Sequence, residues 1–340
     1  MTFPAPTLPE ATAAAGDPIA ALSLARELGA RLPLPGQGDS VALWSALAGL
    51  GATDLTVARS VEPHLDAVAI LDQAGDVDVA ALGVDGASTW GVFAAEGPGV
   101  RLEATYDTTG DGRDWTLTGT KPWCSLAGLL THALVTAWTG PESRRLFAVR
   151  LTGPEVTVTD QPWQARGLSA VTSVPVEMAG APAVPVGDDG WYLTRPGFAW
   201  GGIGVAAIWY GGSVGLARRL AAPSSRRLDQ IGEAHLGAVD AILTAAGTLL
   251  ADAAARVDDG RADGAAGAAL ALRVRQVVRR AAEEVLDRSQ HALGPGPLVG
   301  EAEHAARVAD LQLYLRQEHA ERDQAALGRH LVAHPEDAPW

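Results

Sequence analysis

From Asp17 to about Gln73, apolar Leu, Ala and Val positions recur at the three-to-four-residue spacing of amphipathic helices, interrupted at Pro35-Gly-Gln-Gly38. Asp39 or Ser40 stands where a helix N-cap belongs, since a short side-chain oxygen there accepts from a free N–H of the first turn. Ahead of Asp17, Pro4, Pro6 and Pro9 with an alanine run set no period, so residues 1–17 are expected to form a loose lead-in. Between residues 90 and 191 the pattern becomes alternation. Trp115–Thr118, Ala133–Ala137, Leu146–Leu151 and Val156–Thr159 are separated by Gly, Pro and Asp turns and predict strands, and six of the ten tryptophans fall in this region. Beyond Pro196 the helical period returns. Leu236, Val239, Leu243, Ala246 and Leu250 share one face, as do Leu270, Val274, Val277, Ala281 and Val285, with a loop from Asp258 to Gly264 between the two helices. Gly294-Pro-Gly-Pro297 ends the second, and a last helix is expected from about Glu301 to His330.

These patterns predict an α+β multidomain chain: an N-terminal helical domain (1–88), a central antiparallel β-sheet or barrel domain (89–192) and a C-terminal four-helix bundle (193–340). At 340 residues the chain exceeds one ordinary core, and its 47% apolar content suffices to fill several. Twenty-six basic against 40 acidic side chains give a net charge of −14, which disfavours nucleic acid and anionic membranes. An anionic ligand would need a local basic patch. The single cysteine, Cys124, excludes an internal disulfide and a multi-thiolate metal site and fits a reducing compartment, so a cytoplasmic location is expected. No basic start leads into an apolar run, and no uninterrupted apolar stretch approaches the ~20 residues of a membrane span.

The stretch Trp115-Thr-Leu-Thr-Gly-Thr-Lys-Pro-Trp-Cys-Ser-Leu-Ala-Gly128 carries the most chemistry: a strand, a tight turn, then an aromatic, a small residue and a hydroxyl that would line a flat ring. It resembles the G-x-K-x-W-[IC]-[ST] segment of the acyl-CoA dehydrogenase family, in which the Trp packs on the flavin ring and the Ser or Thr bonds near its reactive nitrogen. The resemblance extends along nearly the whole chain. Ser60-Val-Glu-Pro-His64 resembles the family's N-terminal helix start, and Gly91-Val-Phe-Ala-Ala-Glu-Gly-Pro98 its [FY]-x-x-T-E-P strand. Arg166-Gly-Leu-Ser-Ala-Val-Thr-Ser173 resembles the G-M-R-x-S strand, Val184-Pro185 the V-P that closes the sheet, and Tyr210–Leu220 the following helix. Gln290-His-Ala-Leu-Gly294 resembles the Q-x-x-G-G segment that reaches a partner subunit's flavin. The resemblance implies a flavoprotein using FAD, with FMN as the alternative, contacted by Phe93, Ala95, Trp123, Cys124, Ser125, Gln290 and Gly294. It further implies a homodimer or homotetramer, or a hetero-oligomer, with an electron-transfer partner or oxygen reoxidising the flavin.

A dehydrogenase of that family uses a carboxylate to take the proton alpha to an acyl thioester while hydride leaves the beta carbon for the flavin. Counting eight residues from Asp310, taken as the Asp of the family's R-D segment, puts this base at Glu318. Arg316-Gln-Glu-His-Ala320 replaces the family's Y-E-G-T, and Glu318 beside Glu321, Arg322 and Asp323 also reads as a solvated face of a charged helix. The alternative family position aligns with Val205, which cannot serve. Flavin monooxygenases of the same fold place histidines on this helix, so His319, with His64 facing it, makes monooxygenation the second reading. Ala95 for the Thr of T-E-P, Arg101 near a family Ser or Thr, and Arg226-Arg-Leu-Asp229 for R-x-x-F-G each remove a cofactor contact, about 1 kcal/mol per neutral hydrogen bond. These departures open a third reading, a catalytically silent subunit paired with a competent homologue.

Three further patterns carry less. Gly211-Gly-Ser213-Val-Gly215 has the nucleophile-elbow form but helical flanks, so small-residue helix packing explains it better. Gly202-Ile-Gly204-Val-Ala-Ala207 lacks the preceding strand of a dinucleotide fingerprint. Glu301-Ala-Glu-His304 has di-iron spacing, but the chain supplies no second pair, so no metal is expected.

Overall fold

The computed structural model describes residues 3–107, 114–222, 229–338 and 340; Arg226, Arg227 and Leu228 lie outside them. The N-terminal region is helical: α1 (Pro9–Ala13), α2 (Pro18–Gly29), α3 (Ser40–Thr53) and α4 (Leu55–Ala74). Asp17 caps α2 by accepting from the Ile19 and Ala20 N–H groups. The lead-in is not loose. Phe3, Ala5, Ala11 and Ala14 are buried, and the Tyr210 hydroxyl donates to the Phe3 carbonyl at 3.3 Å. These apolar side chains gain more from covering the helices than the proline-rich chain loses in order. Asp39 makes no side-chain cap on α3. The N–H groups of Gly38 and Ser40 instead donate to the Asp258 carboxylate, from the far end of a helix more than 200 residues later.

The segment Ser60–His64, expected at a helix start, lies inside α4, which begins earlier because Asp54 accepts from the Val57 N–H at 2.8 Å. Pro63 sits within this helix.

Seven strands follow: β1 (Trp90–Phe93), β2 (Leu102–Asp107), β3 (Asp114–Ser125), β4 (His132–Trp138), β5 (Arg144–Arg150), β6 (Val156–Val158) and β7 (Ser173–Val186). The pairings β4–β5, β5–β7, β7–β3, β3–β2 and β2–β4 close a small barrel. Most are antiparallel as expected, but β1 runs parallel to β4, with Trp90 opposite His132, and β2 meets β4 in parallel at Glu103 and Trp138. Ala133, Val135 and Ala137 of β4 face the main core, while Leu134 packs with Ala67 and Ile70 of α4. Burial on both faces explains why β4 is apolar almost throughout.

The C-terminal region contains α5 (Trp191–Thr194), α6 (Pro196–Ala221), α7 (Gln230–Asp258), α8 (Gly264–Leu293), α9 (Gly296–Gly300), α10 (Ala302–Tyr314) and α11 (Glu321–Ala333). The three long helices α6, α7 and α8 pack on one another, α10 lies against α6 and α11 against α8. Across the barrel insertion, α3 packs along α6, where a Cβ on Gly211 would stand 2.0 Å from the Ala48 carbonyl oxygen. Gly211–Gly215 is thus helix packing, as its flanks suggest. On α8 the buried stripe runs through Val278, with Val277 39% exposed, because the 3.6-residue period carries the face one position further than the sequence grouping.

The expected last helix is broken. α10 ends at Tyr314, a 3-10 turn covers Leu315–Gln317, and Ala320 adopts a left-handed φ of 49° before α11 begins. Side chains take over the backbone bonds here: Asp323 accepts from the His319 N–H and Glu318 from the Ala320 N–H.

Candidate functional site

The site begins at an irregularity in β3. Its register with β7 shifts between Lys121 and Cys124, and Trp123 and Leu126 hold φ of 59° and 58°. Left-handed backbone costs a bulky L-residue about 1–2 kcal/mol, so the surroundings must impose it. Lys121 is anchored at the start of this irregularity. Its side chain is 1% exposed, and its Nζ donates at 2.8 Å to Glu96 Oε1, to the Thr136 carbonyl and to Thr136 Oγ1. Burial pulls the Lys121 ammonium below its usual range, and the Glu96 carboxylate opposes that fall.

The bulge sorts the predicted triplet. The Trp123 ring stands outward, 61% exposed. Ser125 is half-buried, with its Oγ 2.8 Å from Ser173 Oγ and accepting from Arg59 Nη2 at 3.1 Å. Cys124 departs from the expected arrangement: its thiol is fully buried and bonds to the Lys121 carbonyl at 3.3 Å, and burial pushes it up to about 12. It packs in the core. Phe93 is buried near Ser125 beneath the same face, lining a small pocket with Arg59 and Leu126. Ala95 is exposed in the loop after β1 and offers no polar group. Gln290 and Gly294 end α8, which packs against α6, α7 and α11; Gln290 Nε2 donates to the Leu286 carbonyl.

Arg59 ties the triplet to a cluster of half-buried charge that the motifs do not include. Its guanidinium lies 3.6 Å from Glu62 Oε2 and 6.0 Å from the Tyr314 ring centre. Burial pushes the Glu62 carboxyl up to about 7 against the pull of Arg59, with Asp66 adding to the rise and Arg275 opposing it. Asp66, raised by burial, pairs with Arg195 at 3.4 Å. Arg275 lies over Trp209, 4.7 Å from the ring centre, and donates to the Gly202 and Gln317 carbonyls. The Tyr314 hydroxyl is buried without a hydrogen-bond partner among the described residues, and burial raises its pKa. One signal for this cluster was visible: Arg59, Glu62 and Asp66 repeat at helical spacing among apolar neighbours on α4.

Glu318 is not on a solvated face. Its side chain is fully buried in the break between α10 and α11, with Oε2 2.8 Å from Arg279 Nε, and Oε1 has no hydrogen-bond partner among the described residues. A buried carboxylate with one bare oxygen has paid desolvation without full compensation. Asp310, the reference residue for that assignment, accepts from the Leu168 N–H, and burial raises it to about 6.

The histidines divide. His64 is buried and its Nδ1 accepts from the Trp90 N–H at 3.2 Å; burial lowers it to about 4, so it is a neutral structural acceptor. His319 is 69% exposed and pairs with Asp323 at 3.4 Å. Glu301 is taken up by Arg219, and no metal-ligand cluster occurs among the described residues.

No protein-family model and no curated protein matches the sequence. Solved structures do. KijD3 in complex with FMN and a dTDP-linked amino-keto sugar superposes with a TM-score of 0.74 at 17% identity, over 97% of this chain and 95% of that one. Butyryl-CoA dehydrogenase from Megasphaera elsdenii gives 0.70 at 17% identity, over 87% and 82%. The chain has the acyl-CoA dehydrogenase fold. TdsC from Paenibacillus sp. A11-2 with FMN and indole, also described as a dibenzothiophene monooxygenase, gives 0.72 at 18% identity, over 86% and 83%. Proteins with the acyl-CoA dehydrogenase fold thus include structures holding FMN as well as a dehydrogenase, and identities this low carry the fold and not the reaction.

Proposed function

We propose that this chain is a flavin-dependent oxidoreductase acting on a small molecule, with the flavin ring on the Trp123 and Ser125 face. The observation that carries this reading is Trp123, an exposed indole held in left-handed backbone beside a hydroxyl. Strain of that kind is kept where a site needs it. The residues fit the group: an aromatic surface for a flat ring, a hydroxyl at its edge, and Arg59 as a cation beside it. Bound flavin would supply two-electron chemistry; the chain binds, orients and moves the proton. Glu318 is the proposed proton acceptor, supported by its burial and its unpaired oxygen.

Alpha,beta-dehydrogenation of an acyl thioester is one form of this chemistry. Monooxygenation is the second, favoured by the half-buried Arg59, Glu62, Asp66 and Arg275, a charged neighbourhood ill-suited to a long apolar chain. Purified protein mixed with FMN or FAD should retain flavin by its absorption spectrum. Trp123→Ala and Ser125→Ala should each retain less or reduce it more slowly. Wild-type flavin content and reduction rate in both variants would rule out this face, and a chain that takes up neither flavin would favour the silent-subunit reading.

Gln290 and Gly294 enter the proposal through a second copy of the chain. The apolar stretch of α7 supports this: by length and composition it could cross a membrane, yet only 28% of it is buried within one chain. Pairing would cover that face. Light scattering at micromolar concentration should give a dimer or tetramer mass, and a monomer mass would exclude the arrangement.

A further inference from the structure

Arg59 is the cation in hydrogen-bond contact with the Trp123–Ser125 triplet. It belongs to α4, a well-packed helix, and its side chain is only 15% exposed, so its charge is held in place and poorly screened by water. One turn along α4, Glu62 lies 3.6 Å away and is its counter-ion when ionised, a separation that leaves the two groups interacting without a hydrogen bond. The groups surrounding the pair come from several elements: Asp66 from α4, Arg275 from α8 and Tyr314 from α10. Arg59 also lines the small pocket under Ser125 together with Phe93, Trp90 and Leu126, whose walls are mostly apolar apart from Ser60 and Ser125 and would lower the local dielectric.

We propose that Arg59 is an electrostatic tuning residue of the cofactor, placed at the edge of the flavin ring where it favours the reduced, negatively charged form over the oxidised, neutral one, with Glu62 setting how much of its charge the ring receives. The inference rests on the flavin reading given above. The balance is simple. Oxidised flavin takes two electrons and one proton to become the anionic reduced form, so one negative charge appears on the ring. A fixed guanidinium at Ser125 stabilises that charge, whereas it gains little from the neutral oxidised ring. Removing the cation should therefore weaken binding of reduced flavin selectively. Removing its counter-ion should do the reverse.

The test measures the reduction potential of bound FMN or FAD at about pH 9, where Glu62, raised to about 7, is ionised, against a reference dye with xanthine and xanthine oxidase as reductant, together with the affinity for oxidised flavin. Arg59→Met is expected to lower the preference for reduced flavin about tenfold, a shift of about 30 mV for a two-electron couple, with affinity for oxidised flavin little changed. Arg59→Lys should keep most of the wild-type potential. Glu62→Gln, which is nearly isosteric, should raise the potential and serves if Arg59→Met does not fold. The proposal is overturned if Arg59→Met and Glu62→Gln leave the potential unchanged or move it in the same direction. It is equally overturned if Arg59→Met binds oxidised flavin more tightly, which would make Arg59 a plug on Ser125. Wild-type protein that takes up no flavin defeats the flavin reading itself, and this proposal with it, a result distinct from any seen in the variants alone.

Discussion

A Glu318→Gln variant is expected to lose substrate-driven flavin bleaching by a factor of roughly 10²–10⁴, the range contributed by a positioned acid or base, while keeping its fold and its bound flavin. Glutamine retains an oxygen for the Ala320 N–H, so the turn between α10 and α11 keeps its hydrogen bond. Arg279 loses one charged partner but keeps Glu283. A leucine at the same position would leave both the Ala320 N–H and much of the Arg279 charge unanswered in the interior, and should destabilise the chain where glutamine does not. Anaerobic stopped-flow reduction with a panel of acyl thioesters measures the effect. Full bleaching by the glutamine variant would remove Glu318 from the chemistry. Wild type that no thioester bleaches, but that consumes oxygen when its flavin is reduced by NADH and a reductase, would favour monooxygenation.

Lys121→Met should cost about 3 kcal/mol of unfolding free energy, the lower end of what breaking a buried ion pair costs. Methionine matches the side chain in length but leaves the Thr136 carbonyl and hydroxyl and one oxygen of Glu96 without their shared donor. Glu96 keeps Arg144 at 3.3 Å and the Trp138 indole N–H, and it is 30% exposed, which is why the lower figure applies. Since Lys121 flanks the irregularity that turns Trp123 outward, flavin retention should fall together with stability. Urea unfolding of the two proteins provides the number. A loss under about 1 kcal/mol would mean that Lys121 is not what holds the bulge.

The sequence made the architecture readable because helical and strand periods differ sharply here, and because motifs with tight backbone demands, such as Gly-x-Lys-x-Trp, sit at strand ends. Other features depend on partners distant along the chain. Nothing near Ser40 announces that Asp258 caps its helix, and nothing in Pro4–Pro9 shows that Tyr210 waits for Phe3. Glu318 lies in a run of charged residues that looks solvated, yet the left-handed turn at Ala320 draws it inside, where Arg279 meets it. For the candidate site, the triplet could be read locally, but that Cys124 points inward depends on a register shift between β3 and β7 that no local pattern announces. The Arg59 cluster shows in the sequence only as the helical spacing of Arg59, Glu62 and Asp66, because each member, taken singly, resembles an ordinary helix surface.

The packing of α3 on α6 bears on how the chain is made. α3 is apolar on nearly every side, with most of its residues buried, and its main cover begins at Pro196, after the whole barrel. During synthesis at roughly 5–20 residues per second, α3 leaves the ribosome on the order of 10 s before α6 does. For that interval only α4 and the short α1 cover part of α3, so most of its apolar surface has no permanent neighbour, and the barrel must close without trapping it against the wrong surface.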